Sequence, residues 1–315
     1  MKPTAIGATG LRKKFSDHVV LDGVDLRVPE GTVFSLLGPN GAGKTTAVRI
    51  LSTLISADGG TATVAGHDVA TNPDGVRAAI GVTGQFSAVD KLLTGEENLR
   101  LMGELYRLPK DEITRRATTL LTRFDLGDAA RTLTATYSGG MTRRLDLAMT
   151  LVGEPRVIFL DEPTIGLDPR SRRGMWEIVE ELVAGGVTVF LTTQYLEEAD
   201  RLSDRIAVLD HGRIVAEGTP AELKQRIPGG HVRLRFPDVH ELESALRVLG
   251  NATPDVDALA MAVPNDGSRR ALKELLDRLD DASIEVAALS VHTPDLDDVF
   301  FALTGHTSEQ KAPLS

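Results

Sequence analysis

Val33-Phe34-Ser35-Leu36-Leu37-Gly38-Pro39-Asn40-Gly41-Ala42-Gly43-Lys44-Thr45 is a short apolar run followed without a break by a glycine-rich loop. The run reads as a buried strand, and the loop as a sharp turn out of it. Beyond Thr45, the residues Ala47, Val48, Ile50, Leu51, Leu54 and Ile55 recur at helical spacing. Strand, glycine loop and helix open an α/β unit. The loop fits the phosphate-binding pattern G-x-x-x-x-G-K-[ST], in which glycines let successive backbone N–H groups face inward and the next helix aims its positive end at the same point. Lys44 then supplies a point charge for the β- and γ-phosphates, and the Thr45 hydroxyl a ligand for Mg²⁺.

A second run, Val157-Ile158-Phe159-Leu160, ends in Asp161-Glu162. This places two carboxylates at the C-terminal edge of a buried strand, where α/β sheets bind ligands. Asp161 is suited to hold Mg²⁺ through water, and Glu162 to orient or deprotonate an attacking water. A third piece is Tyr137-Ser138-Gly139-Gly140-Met141, leading into a helix through Leu145, Ala148, Met149 and Val152. Ser138 reads as its N-cap.

Working outward, residues 85–147 have helical character, with one stripe through Leu99, Met102, Leu105 and Tyr106 and another through Ala117, Leu120, Leu121 and Phe124. Strands return at Val187–Leu191 and Ile206–Leu209, and Asp210-His211-Gly212-Arg213 reads as a hairpin turn. The economical architecture is an α/β core with an inserted helical block. After Pro228-Gly229-Gly230 a smaller α+β domain is expected, with strands near Val232–Phe236, Ala258–Val263 and Ile284–Val291 and helices carrying Leu242–Leu249, Ala271–Leu279 and Leu296–Leu303. The boundaries are drawn at 1–222 for the core, with its helical part at 86–150, at 223–228 for a linker and at 229–315 for the second domain.

Composition narrows the function classes. The 315 residues are 42% hydrophobic and 25% charged, the ordinary globular range. The net charge is −10, which argues against nucleic-acid backbone binding as the main activity. There is no cysteine, so disulfides, iron–sulfur clusters and thiolate zinc are excluded. The start Met1-Lys2-Pro3-Thr4 lacks an apolar block, and no apolar run approaches the ~18 residues of a membrane helix. A cytoplasmic protein is expected, with any membrane role supplied by a partner.

With these pieces in this order, residues 4–222 resemble the ATP-binding cassette (ABC) family of ATPases. The resemblance makes Gly38, Pro39, Asn40, Gly41, Ala42, Gly43, Lys44, Thr45 and Thr46 the Walker A motif around ATP, and Gln85 the Q-loop glutamine, a ligand of both nucleotide and metal. It makes Asp161-Glu162 the end of Walker B, with Thr45, Gln85 and Asp161 around Mg²⁺. Phe15 is implied as the aromatic stacked on adenine. Ser138-Gly139-Gly140 is implied as the signature and Asp168, in Gly166-Leu167-Asp168, as the D-loop, both acting across a head-to-tail dimer. The family's P-loop NTPase fold, ATP hydrolysis, separate membrane subunits and a peripheral place on the cytoplasmic face of the cell membrane come with it.

Three segments are similar to the drug-resistance branch, the ATP-binding subunits typified by daunorubicin/doxorubicin exporters. These are Tyr137–Met141, Leu191–Asp200 and Leu296–His306. That likeness implies efflux of a hydrophobic, antibiotic-like compound. Most family members carry a histidine where this chain has Gln194. A neutral amide cannot act as acid or base, so the expected base is Glu162, with Gln194 and Lys44 positioning. Two rivals are a non-transport ABC clamp, which usually has two cassettes, coiled coils or zinc modules, and an ATP-holding regulatory module with little hydrolysis.

Overall fold

The computed structural model describes residues 2–84, 87–225, 230–265, 268–292 and 295–304. The chain divides into two compact units at Pro220/Ala221.

The first unit opens with β1 (Thr4–Phe15) and β2 (His18–Pro29), an antiparallel pair. Next come β3 (Val33–Leu37), α1 (Lys44–Leu51), β4 (Gly59–Val64), β5 (His67–Asp68), α2 (Pro73–Ala79) and β6 (Ile80–Thr83). The helical block is α3 (Gly95–Leu105), α4 (Lys110–Arg123) and α5 (Gly139–Leu151). The core resumes with β7 (Val157–Asp161), α6 (Pro169–Ala184), β8 (Thr188–Thr193), α7 (Leu196–Leu202), β9 (Arg205–Asp210) and β10 (Arg213–Gly218).

Two sheets result: a four-stranded antiparallel one, ordered β2-β1-β4-β5, and a six-stranded one, ordered β10-β9-β3-β8-β7-β6. In the second, β9, β3, β8, β7 and β6 run parallel. Their continuous apolar runs follow from burial on both faces. Phe34, Phe159 and Phe190 face the antiparallel sheet and α1, with ring centroids 5.7 and 5.6 Å apart for the two pairs involving Phe190. Ile158, Leu160, Val189 and Leu191 face the opposite way, toward Leu145 and Trp176. Each such burial is worth about 1.5–3 kcal/mol, which pins the strand register.

Three features of this unit correct or add to the sequence reading. The antiparallel sheet and β6 carry no strong sequence signal and emerge only from their pairing. Helix α1 stops at Leu51, because Thr53 turns left-handed (φ 65°), and Leu54 is exposed rather than part of the apolar stripe. Leu92 to Glu97 is a capped helix start: the Thr94 hydroxyl accepts from Glu97 N–H while the Glu97 carboxylate accepts from Thr94 N–H, with Leu92 exposed beside it.

The second unit begins inside α8 (Pro220–Gln225). The first half of the expected linker 223–228 is therefore helical, with Leu223 fully buried. Then come β11 (His231–Arg235), α9 (Val239–Leu249), β12 (Thr253–Asp255), β13 (Ala260–Pro264), α10 (Arg269–Asp281), β14 (Ala288–His292) and α11 (Leu296–Thr304). The strand order is β12-β13-β11-β14, antiparallel throughout. Val232, Leu234 and Met261 pack with Leu242, Ala245, Leu275 and Leu279. The last strand starts four residues later than its apolar pattern predicts. Ser283 is left-handed, Ile284 N–H bonds back to Leu279, and Ile284 fills the core as the close of α10. Asp298 and Asp295 accept from each other's N–H groups at the start of α11.

Candidate functional site

Parallel pairing brings four strand ends to one edge. Leu37 of β3 is level with Thr193 of β8, Thr192 of β8 with Asp161 of β7, and Leu160 of β7 with Thr83 of β6. The glycine loop, Gln194 and the two carboxylates therefore leave the sheet side by side.

The loop needs its glycines for close approach. A Cβ on Gly38 would lie 2.3 Å from the Leu209 carbonyl oxygen, and one on Gly43 2.8 Å from that of Val20. Gly43 also has φ 110°, closed to ordinary side chains. Lys44, the first residue of α1, is only 5% exposed, and its Nζ donates to the carbonyls of Gly38 (2.7 Å) and Pro39 (3.1 Å). Glu162 Oε1 lies 3.6 Å from that Nζ. Burial pulls the Lys44 ammonium below its ordinary value, opposed by Glu162 and Asp161.

Thr45 Oγ1 donates to Asp161 Oδ1 at 3.3 Å, and Thr192 Oγ1 bonds the same oxygen. A hydroxyl and a carboxylate oxygen at this spacing suit adjacent corners of an octahedral Mg²⁺ shell, where Mg–O is about 2.0–2.1 Å. Among the described residues no three His, Cys, Asp or Glu side chains gather as a metal site, so the donor set fits an ion held largely by substrate phosphates and water. Glu162 itself is left-handed (φ 50°), with its N–H on the Thr192 carbonyl at 3.0 Å.

Lys44, Thr45, Asp161 and Glu162 thus form one cluster. Ser138, Gly140 and Asp168 form another. Ser138 caps α5 through Met141 N–H at 3.2 Å, and a Cβ on Gly140 would lie 2.6 Å from Ser171 Oγ. That hydroxyl donates to Asp168 at 2.6 Å, and Asp168 caps α6 by accepting from Arg170 and Ser171 N–H. The Ser171 hydrogen bonds hold Asp168 below the usual carboxylate range. Among the described residues, neither Ser138 nor Asp168 hydrogen-bonds to the Lys44 cluster. Phe15 ends β1 half-exposed, with the Lys13 ammonium 5.4 Å from its ring centroid. Gln85 lies outside the described residues.

Sequence reasoning missed several groups here. Thr192 is one; nothing in an apolar strand ending in Thr-Thr announces a bond to Asp161. Glu198, on α7, is fully buried and accepts from the Trp176 indole N–H at 3.1 Å, and burial raises it above the ordinary glutamate value. Arg172 stacks on Tyr195, next to Gln194, at 4.9 Å. Asp146 of α5 is buried and Arg143 nearly so, and the charges Arg143, Arg144 and Asp146 in and next to the apolar run Leu145–Leu151 were the available signal.

A phosphate loop at the carboxyl edge of a parallel sheet, facing a lysine–carboxylate cluster, defines a P-loop nucleoside triphosphatase. The chain belongs to the ABC transporter family, as an ATP-binding subunit of the drug-resistance type. Residues 21–165 match that family under the description ABC transporter. The chain is 50% identical over 310 residues to the daunorubicin resistance ATP-binding protein DrrA2 of Streptomyces coeruleorubidus, covering 97% of this chain and 96% of the relative. It is 48% identical to the daunorubicin/doxorubicin resistance ATP-binding protein DrrA of Streptomyces peucetius, covering 99% and 96%. The Nod factor export ATP-binding protein I of Rhizobium sp. (strain N33) is 37% identical over 98% of this chain and all of its own length.

Among solved structures, an ATP-binding subunit of an ABC transporter superposes with TM-score 0.64 at 30% identity, covering 71% of this chain and 93% of its own. The dimeric ATP-binding cassette MJ0796, bound to ADP and Pi after hydrolysis, superposes with TM-score 0.62 at 26% identity, covering 68% and 98%. The protein is an ATP-binding, ATP-hydrolysing subunit of an ABC export system.

Proposed function

We propose that this subunit drives efflux of a hydrophobic, antibiotic-like compound through a separate integral membrane protein, working at the cytoplasmic face. The observation that carries the chemistry is the buried Lys44–Glu162 contact beside the Thr45–Asp161 pair. Near-full-length identity of 48–50% to two drug-resistance subunits carries the substrate class. Among the described residues no helix is long and apolar enough to cross a membrane, in keeping with a separate membrane partner.

When ATP enters, Lys44 exchanges the Gly38 and Pro39 carbonyls for β- and γ-phosphate oxygens, and the loop amides take the rest of the negative charge. Phe15 offers its exposed face to adenine. Thr45, Asp161 and Gln85 would hold Mg²⁺, which would supply positive charge beside the transferring phosphoryl group. Glu162 takes a proton from a water as its oxygen bonds to the γ-phosphorus. The bond to the β,γ-bridging oxygen breaks, and ADP leaves with the electron pair. Gln194 supplies an amide N–H to the γ-phosphate and no acid–base chemistry. Ser138, Gly139, Gly140 and Asp168 complete the site of a second copy, head to tail. A helix N-terminus contributes about 0.3–2 kcal/mol to such a clamp, little enough to reopen after hydrolysis.

Co-expression with the membrane protein that co-purifies with this chain should lower anthracycline accumulation in a drug-sensitive cell. Lys44→Ala should abolish that protection. Equal accumulation with and without the pair would remove the drug-efflux reading.

A further inference from the structure

Arg143 is nearly buried in α5, one turn in from the glycines at its start, and its guanidinium is spread over four backbone carbonyls. Nε donates to Pro163 O (2.9 Å), one terminal nitrogen to Gly84 O (2.9 Å), and the other to Asp161 O (3.2 Å) and Glu162 O (3.4 Å). Asp146, one turn on, faces it at 3.2 Å, and its other oxygen accepts the Ala88 N–H at 2.9 Å. Three of these carbonyls lie where β7 leaves the sheet and the fourth just beyond β6, where regular ladder pairing ends and a side-chain donor can take its place. Three consecutive ones, Asp161 to Pro163, are met by a single planar fork, which the rigid guanidinium geometry allows and an ammonium does not.

At the middle of that bonded stretch stands Glu162, held in the left-handed region that a non-glycine residue avoids unless its surroundings impose it. We propose that Arg143, neutralised by Asp146, is the positioning residue that imposes this backbone and so aims the Glu162 carboxylate, while tying it to residues 84 and 88 and to the helix that starts at Ser138. The claim rests on Glu162 acting as the base. It makes α5 a strut between a chain's own carboxylate and the glycines it offers its partner, so that displacement at either end is felt at the other.

Steady-state and single-turnover hydrolysis of Mg-ATP by the full-length chain test this, for Arg143→Lys, Glu162→Gln and the double variant. Arg143→Lys keeps the charge opposite Asp146 but cannot span the carbonyls. Its kcat should fall about 10–100-fold with KM for ATP within about threefold, because the phosphate loop is untouched. In the Glu162→Gln background the same change should cost nothing more, since there is no base left to aim. Multiplying losses in the double variant, or a kcat within twofold of the parent in Arg143→Lys, overturns the proposal. A Glu162→Gln variant that hydrolyses normally removes the base assignment and this inference with it. Should Arg143→Lys fail to fold, Asp146→Asn, which retains an acceptor for Ala88 N–H, is read by the same split between kcat and KM.

Discussion

Lys44 Nζ lies 3.6 Å from Glu162 Oε1, with both side chains almost entirely out of water. The two charges compensate one another, and the lysine also donates to two loop carbonyls. On the proposed mechanism, a γ-phosphate arriving between them would compete for the ammonium and leave the carboxylate to face a water, so that one contact would link binding to activation of the base.

Replacing Lys44 with alanine removes two or more charge-assisted hydrogen bonds to phosphate. ATP affinity should fall about 10–100-fold, at roughly 1.5–3 kcal/mol for hydrogen bonds to charged groups. Titration with a fluorescent ATP analogue measures this directly. An unchanged dissociation constant would place the phosphates elsewhere.

Glu162→Gln keeps the size and the hydrogen-bonding reach of the side chain but cannot take a proton. Turnover should drop about 10²–10⁴-fold, the range for loss of a general base. ATP binding should persist. Since reopening follows loss of the γ-phosphate, the variant should accumulate as an ATP-bound dimer, visible by size-exclusion chromatography with multi-angle light scattering.

Gly38→Ala forces a Cβ into the Leu209 carbonyl oxygen at 2.3 Å, a backbone atom that cannot swing aside, with the Ala42 Cβ 3.3 Å away. A loss of about 1–3 kcal/mol in stability is expected, together with a distorted phosphate loop. Chemical denaturation reports the first and nucleotide titration the second. A variant that binds ATP normally would show that β9 can move away at little cost.

Glu198 predicts a pH signature. Its native value is raised by burial, so above the ordinary glutamate value of 4.5 the folded state retains a proton that the unfolded chain releases. Stability contributed by this group therefore falls as pH rises from about 4.5 through the raised native value, then levels off. Glu198→Gln removes that slope while keeping an oxygen for the Trp176 indole N–H. In urea unfolding across this range, the variant should gain on the parent as pH rises; parallel curves would show that Glu198 is charged in the native state.

Local sequence determined the chemistry of this protein. An apolar run, a glycine-rich loop ending in Lys44-Thr45, and two acids closing a second apolar run are patterns of neighbouring residues, and they single out the candidate phosphate site and its carboxylates without any partner in view. That Gly38 and Gly43 leave no room for a Cβ is decided by the fold, which brings the Leu209 and Val20 carbonyls against them. The N-cap at Ser138 was legible for the same reason as the loop pattern, since capping is a local device. Tertiary structure alone decided which strand ends meet, because β3, β8, β7 and β6 are adjacent in space and far apart in the chain. It also set Thr192 on Asp161 and Arg143 on four carbonyls. Bonds from a side chain to a distant backbone oxygen depend on folded geometry and leave no period or composition to read.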